Sequence, residues 1–309
     1  ELNTTIDETF TATAELPATS DVKLGDRQTE AYCDALKERC FRGWPAEGEA
    51  SATQQAGKLA FEAEHDGLHL SAIAFSPEPN IDLTLFLLRS SNVKPDALKL
   101  CVLNVLDEQD WSQFLATARV GFSKYFENEI AAAVDESAWQ SLAGLLKANP
   151  WGMAYVCPRG IGPTAWNQSE RKQTHHRRRF MLLGQTLDGM RVWDVRRSLQ
   201  KLMNAPGYTD VPVWCQANRE MSGIALYATL FERDTVARLD LYGLPVSHRD
   251  GPAFLNVLRQ TDTPLTVAYT AQQTKVVIYD DDAERWAYPT SIVARHGALK
   301  GGLQIRKRP

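Results

Sequence analysis

The chain has 309 residues and a formal net charge of −4, with 44% hydrophobic and 23% charged residues. This composition is typical of a globular protein whose core is large enough to fold without disulfides or a structural metal. No run reaches the roughly 20 apolar residues of a transmembrane helix. The overall charge gives no indication of binding to nucleic acid or to an anionic membrane. The chain starts at Glu1 without a signal-peptide pattern, so we expect an upstream region in the natural protein.

The first 57 residues differ in pattern from the rest. Residues 1–25 are rich in Thr, Ala, Asp and Glu without a sustained period, which predicts an extended arm. Residues 26–43 carry apolar side chains at helical spacing and end at Gly43, which predicts a helix. A small, polar, alanine-rich stretch follows and indicates a linker. We therefore expect an arm, helix and linker over residues 1–57 and a larger domain over residues 58–309.

Strands come first in this domain and then alternate with helices. Alternating apolar residues on both sides of Asp66-Gly67 predict an antiparallel hairpin, and "IDLTLFLLRS" predicts a third strand. The apolar run 98–106 predicts a central strand covered on both faces. Further along, the predicted strands are 152–158, 211–216, 236–244, 275–280 and 302–307, and the predicted helices are 111–127, 135–148, 178–204, 221–231, 251–259 and 289–296. This order predicts an α/β fold with a mixed, mostly parallel sheet and helices on both faces.

Two motifs connect this pattern with a known superfamily. In "AYVCPRGIGPTAW", Arg159, Gly160 and Gly162 follow a predicted strand, and "LGQTLDGMRVWDVRRSLQKL" contains the run 193–195, Trp-Asp-Val. With the order of elements, these stretches make residues 58–309 resemble the α/β-hydrolase superfamily, in its acetyl xylan esterase-like and dienelactone hydrolase-like branches. The resemblance implies the α/β-hydrolase fold and carboxylic ester hydrolysis by a serine, a histidine and an acid.

The position of the nucleophile departs from that pattern. "VWCQANREMSGIALYATLF" reads as a strand, a sharp turn and a helix, which is the frame of a nucleophile elbow. Aligning the helix with the superfamily's elbow puts Ala217 and Met221 at the flanking glycines and Arg219 at the serine. A guanidinium stays protonated and cannot attack an acyl carbon. The sequence therefore predicts an elbow without its nucleophile.

The other catalytic positions also differ from the resembled family. Ser222 lies three residues further on, inside the predicted helix, and His248 follows the strand 236–244. Asp281 lies in an acidic turn after "KVVIY", where the family places its triad acid. Where the family has its oxyanion turn, this chain has the acidic run "LDEQDW", and negative side chains there would oppose an oxyanion. No histidine follows the last predicted strand.

These departures predict a non-catalytic, pseudo-esterase domain of a larger protein that binds a carbohydrate or a small anionic ligand.

 The predicted ligand-binding residues are Arg159, Arg219, Trp111 and Trp166, because arginines pair with anions and aromatic faces stack on sugar rings. The alternative is an active carbohydrate (acetyl xylan) esterase with an unconventional nucleophile, Ser222, and His248 as its base. The basic run 171–180 is expected to be a solvated loop.

No cofactor and no metal site is predicted, since no group of residues has ligand spacing. We expect neither a nucleic-acid nor a membrane partner. The expected partner is an upstream domain of the same polypeptide, and the resemblance implies a secreted or periplasmic location.

Overall fold

The computed structural model describes residues 13–46, 57–127, 129, 133–166, 169–297 and 300–308. Across these residues the chain forms one sheet of nine strands. The strands are β1 (Lys58–His65), β2 (Leu68–Glu78), β3 (Ile81–Ser90), β4 (Leu100–Val105), β5 (Trp151–Val156), β6 (Val213–Asn218), β7 (Val236–Tyr242), β8 (Lys275–Tyr279) and β9 (Gly302–Arg306).

The strand order across the sheet is β1-β2-β3-β5-β4-β6-β7-β8-β9. Strands β1, β2, β3 and β5 pair antiparallel, and every pair from β5 to β9 is parallel. The hairpin between β1 and β2 turns at Asp66 and Gly67, both with positive φ, as a two-residue hairpin turn requires. The predicted mixed, mostly parallel sheet is confirmed.

Helices cover this sheet. Those in the described residues are α1 (Asp26–Arg39), α2 (Glu108–Phe122), α3 (Glu136–Ala148), α4 (Glu170–Leu182), α5 (Leu187–Met203), α6 (Arg219–Phe231), α7 (Thr263–Thr270) and α8 (Ala287–His296). Helices α2 and α3 contact each other and the strands β1 to β3, whereas α5, α6 and α7 pack side by side. The crossover from β4 to β5 runs in the opposite direction to those from β5 onward, so right-handed connections put the two groups on opposite faces.

The predicted helix over 178–204 is wrong, because the structure has two helices there. Gly184 adopts a left-handed conformation with φ of 73° after α4 ends. Thr186 then caps α5 by accepting a hydrogen bond from the backbone of Gly189. The predicted solvated loop over 171–180 is also wrong, since these residues form most of α4.

The predicted helix over 251–259 is wrong as well. Only a short 3-10 turn, Val257–Arg259, forms in this range, after Asn256 adopts a left-handed conformation with φ of 56°. The sequence analysis missed the helix α7, which follows it. This helix begins where the Asp262 side chain accepts a hydrogen bond from the backbone of Thr263.

The N-terminal segment packs onto the domain. Cys33 and Leu36 of α1 are buried in the main hydrophobic core. In the arm, Val22 packs with Ile292 of α8, and the Ala14 backbone donates a hydrogen bond to Leu258. The rest of the predicted arm and most of the predicted linker, residues 1–12 and 47–56, lie outside the described residues. Among the described residues, no helix combines the length and the apolar character needed to cross a membrane.

Candidate functional site: a modified nucleophile elbow

The turn between β6 and α6 has the backbone of a nucleophile elbow. Asn218 ends the strand and Arg219 begins the helix without an intervening loop. Arg219 has a φ of 52°, a left-handed conformation that is strained for a residue with a side chain. Ala217 and Met221 on either side are buried, with 2% and 1% exposure, so strand and helix approach closely. The structure therefore places Arg219 at the apex of the turn between β6 and α6.

The Arg219 guanidinium is held by two carboxylates. Its Nε donates to Asp107 at 2.7 Å, and one terminal nitrogen lies 2.6 Å from Asp107 and 2.9 Å from Asp110. The Asn218 amide donates to both Asp110 oxygens at 3.1 Å. Partial burial acts to lower the pKa of Arg219, but the hydrogen bonds that its guanidinium donates to the two aspartates raise it above its usual value. The apex is thus a permanent cation within a slightly acidic cluster.

Asp107 lies in the turn after β4, where the resembled family has its oxyanion turn, and Asp110 lies in the first turn of α2. Asp107 caps α2, because its side chain accepts a hydrogen bond from the Asp110 backbone at 2.9 Å. The same carboxylate therefore fixes the helix and binds Arg219. Sequence analysis identified these residues as acidic neighbours of the turn, but it did not predict that they bind the elbow arginine.

The structure does not bring Ser222 and His248 together. The Ser222 side chain is fully buried, and its hydroxyl lies 2.8 Å from the Ala217 carbonyl and 2.9 Å from the Tyr242 carbonyl. His248 is also buried, with Nε2 2.8 Å from the Tyr227 hydroxyl and Nδ1 2.7 Å from the Pro252 carbonyl. Burial lowers the pKa of His248, which favours the neutral ring. Ser222 and His248 therefore form hydrogen bonds with other groups and not with each other.

The acidic turn after β8 presents a different carboxylate from the predicted one. Asp281 is exposed and accepts a hydrogen bond from the Arg308 backbone at 3.3 Å. Asp280 is buried, and it accepts hydrogen bonds from the Trp286 indole at 2.9 Å and from the Asp282 backbone at 3.1 Å. The oriented acid of this turn is therefore Asp280, and an indole holds it.

Arg159 lies in the interior, with 3% exposure. Its Nε and one terminal nitrogen donate to Asp194 at 2.8 and 2.6 Å, and its other terminal nitrogen donates to Glu78. The backbone N–H of Arg159 also donates to Asp194. The two sequence motifs therefore bind each other. The guanidinium that was predicted to bind a ligand is already paired with the carboxylates of Asp194 and Glu78.

The two predicted aromatic ligands have different surroundings. Trp111 is 6% exposed and packs in the core, with ring centroids 5.3 Å from Phe114 and 5.8 Å from Phe86. Trp166 is half-buried and stacks on Phe180 at 6.0 Å. Of the two, only Trp166 is partly exposed.

Sequence analysis missed one titratable group beside the elbow. Glu220 follows Arg219 directly and forms a hydrogen bond with Asp188, a buried residue in the first turn of α5. Burial, and then the Asp188 charge, raise the pKa of Glu220 to about 7. This pair can hold one shared proton near neutral pH. No sequence signal could have identified it, because the two carboxyls are 32 residues apart and meet only through packing of α5 on α6.

Comparisons with known proteins support the fold. No family model matches the chain, and no curated protein matches it. Similar solved structures include a protein from Bacteroides fragilis assigned as an acetyl xylan esterase, with 12% identity over 91% of this chain and 74% of that chain and a TM-score of 0.61. A glucuronoyl esterase from Solibacter usitatus has 11% identity over 96% and 94% of the two chains, with a TM-score of 0.60. A CE15 glucuronoyl esterase from Teredinibacter turnerae has 13% identity over 96% and 82%, with a TM-score of 0.53. The predicted α/β-hydrolase fold is confirmed.

Proposed function

We propose that this chain is a non-catalytic, pseudo-esterase domain of α/β-hydrolase fold within a larger protein. The observation that carries the proposal is the identity and bonding of the residue at the elbow apex. Arg219 occupies that apex with the left-handed backbone of an elbow residue, and Asp107 and Asp110 bind its guanidinium. A protonated guanidinium has no lone pair with which to attack an ester.

The charge of the surrounding turn supports the same proposal. Ester hydrolysis needs hydrogen-bond donors where negative charge develops on the substrate oxygen. In this chain, Asp107 from the turn after β4 and Asp110 from the first turn of α2 bind the arginine at the apex. Among the described residues, Arg219 is the one cation paired with these two carboxylates, so an oxyanion at this place would meet net negative charge.

An active carbohydrate esterase is the alternative, and it needs Ser222 as nucleophile with His248 as base. Both side chains are buried, and each is bonded to other groups. Catalysis by this pair would require α6 to release Ser222 and the Tyr227 hydroxyl to release His248. The proposal of a non-catalytic domain needs no such rearrangement.

For the ligand, we favour an uncharged carbohydrate over a small anion. Arg159 and Arg219 are already paired with carboxylates, so an anion would have to displace Asp194 or Asp107 to bind them. The half-buried Trp166 leaves part of an aromatic face for a sugar ring. The upstream domain and the secreted or periplasmic location stay predictions.

The proposal is tested with p-nitrophenyl acetate, benzyl glucuronate and a serine-directed fluorophosphonate probe. We expect no hydrolysis above the buffer rate and no labelled serine. The Arg219→Ser variant places a hydroxyl at the apex, and we expect it to stay inactive because His248 is bonded elsewhere. The Ser222→Ala variant is the matched control for the alternative.

Two outcomes would contradict the proposal. Hydrolysis by the natural chain that disappears in Ser222→Ala would establish the active-esterase alternative. Stoichiometric fluorophosphonate labelling of any serine would show that the fold retains a working nucleophile.

A further inference from the structure

A cavity of about 280 Å³ lies between the sheet and the helices α2 and α3. Its polar lining comes from the central strands and includes Asn104, Tyr155, Gln216 and Asn218. Apolar side chains such as Phe114 and Trp139 line the helical side. An engineered cavity of about 150 Å³ with apolar walls binds benzene, so this volume is sufficient for a substituted six-membered ring.

The polar lining forms a row across three neighbouring strands. Asn104 of β4 pairs in register with Tyr155 of β5 on one side and with Gln216 of β6 on the other. Residues in register share one face of the sheet, so their side chains point to the same helices. Asn218 lies two residues beyond Gln216 on that face. Central strands covered on both faces normally carry apolar residues at such positions. The three amide side chains in this row therefore indicate that a polar group binds against it.

Hydrogen bonds within the protein satisfy only part of this row. The Asn104 amide donates to the carbonyls of Val102 and Ala154, and its oxygen accepts from the Gln216 amide. The Asn218 amide nitrogen donates to Asp110. The Tyr155 hydroxyl, Gln216 Oε1 and Asn218 Oδ1 have no hydrogen-bond partner among the described residues, and all three residues line the cavity. Burial raises the pKa of Tyr155, so its hydroxyl is available as a donor.

The charges around the cavity define the class of ligand. Asp110 is the charged residue of the lining, and Arg219 compensates it from outside the cavity. No lysine or arginine belongs to the described lining, so nothing there would pair with a carboxylate or a phosphate. The aromatic and leucine side chains of the walls suit an apolar ring.

We propose that this cavity binds a neutral aromatic or alicyclic molecule bearing one amide or hydroxyl group. The ring lies against Phe114 and Trp139, and its polar group bonds with Gln216 and Tyr155. Two lining residues of α2 reach the surface, since Gln113 is exposed and Thr117 is half-buried, so a ligand is expected to enter beside them. The inference uses no chemistry of the elbow, so it stands whether or not the chain hydrolyses esters.

Isothermal titration calorimetry with benzamide tests the proposal, and benzoate is the charged counterpart of the same shape. We expect benzamide to bind at least tenfold more tightly than benzoate, because a buried carboxylate would lack a cation. The Gln216→Met variant keeps the side-chain length but removes the amide. It should weaken benzamide binding about tenfold while leaving toluene binding unchanged.

Filling the cavity supplies a second, independent test. Ala118 lines the cavity from α2, and the Ala118→Leu variant is expected to weaken benzamide and toluene binding more than tenfold. The Gly144→Leu variant adds a side chain of the same kind on α3, where nothing lies within 4 Å, and should bind like the natural chain. A thermal melt verifies that each variant is folded. If Ala118→Leu does not fold, the comparison of Gln216→Met with the natural chain decides the test.

Three results would overturn the proposal. The first is the absence of any benzamide binding at millimolar concentration to the natural chain. The second is equal affinity for benzamide and benzoate. The third is benzamide binding that neither Gln216→Met nor Ala118→Leu alters, since that binding would lie elsewhere on the protein.

Discussion

The carboxyl pair beside the elbow predicts that stability depends on pH through Glu220. Burial is the main cause that raises its pKa, and the charge and hydrogen bond of Asp188 add to it. Arg191 and Arg177, from α5 and α4, act in the opposite direction. The balance is a pKa of about 7 in the folded protein, compared with an ordinary value of 4.5.

The size of the effect follows from these two values. The folded protein keeps the proton up to a pH of about 7, whereas the unfolded chain releases it near 4.5. Because the folded state binds more protons between these values, the free energy of unfolding falls as the pH rises through this window. A difference of about 2.5 pH units corresponds to about 3 kcal/mol, which is an upper limit for a pair that shares its proton.

The Glu220→Gln variant isolates this contribution. Glutamine can donate to Asp188 as the protonated glutamate does, but it does not titrate. We expect urea unfolding at pH 5, 6, 7 and 8, followed by tryptophan fluorescence, to show that the variant gains stability relative to the natural chain as the pH rises. The gain should approach 3 kcal/mol by pH 8.

Comparing Glu220→Gln with the natural chain also cancels the contribution of other titrating groups, such as His248, because both proteins contain them. Glu30→Gln, at an exposed position of α1, is the matched control and should follow the natural chain. Parallel pH curves for the natural chain and Glu220→Gln would refute the reasoning.

Two further substitutions test the packing that holds the site. Arg159→Met should lower the free energy of unfolding by about 3–5 kcal/mol, since it leaves the fully buried Asp194 carboxylate unpaired; urea titration measures the loss, and adding Asp194→Leu should recover most of it. A loss that the second change does not recover would contradict the pairing. Gly223→Ala should cost about 1–3 kcal/mol in the same assay, because its Cβ would lie 2.4 Å from Pro252 Cδ. Gly144→Ala, in open space on α3, should instead stabilise by about 0.5–1 kcal/mol, and equal losses in both variants would exclude the proposed clash.

Much of the fold could be predicted because its strands have strong local signals. The Asp66-Gly67 turn and the apolar run that contains β4 identify the hairpin and the sheet centre. Helix boundaries were less predictable, since the apolar spacing continues across the break between α4 and α5. The break depends on the left-handed backbone of Gly184 and the cap at Thr186, which are local details that periodicity does not reveal.

The candidate site was predictable only in part, for a similar reason. The order of elements placed Arg219 at the elbow apex, because strand and helix positions fix that turn. Its bonds to Asp107 and Asp110 depend on which strands are neighbours. Strand β4 lies beside β6 although 107 residues, 106–212, lie between the two strands in the sequence. The burial of Arg159 against Asp194 and the cavity amides likewise appear only once the sheet is assembled.

The contact between Arg159 and Asp194 has a consequence for how such sequences are classified. Each of the two motifs on which the resemblance rests contributes one partner of that ion pair, so in this chain both motifs help to hold the fold together. A pattern search built on them would therefore collect chains with and without a serine at the elbow. Separating the two groups requires the residue at the bend between β6 and α6, which those motifs do not include.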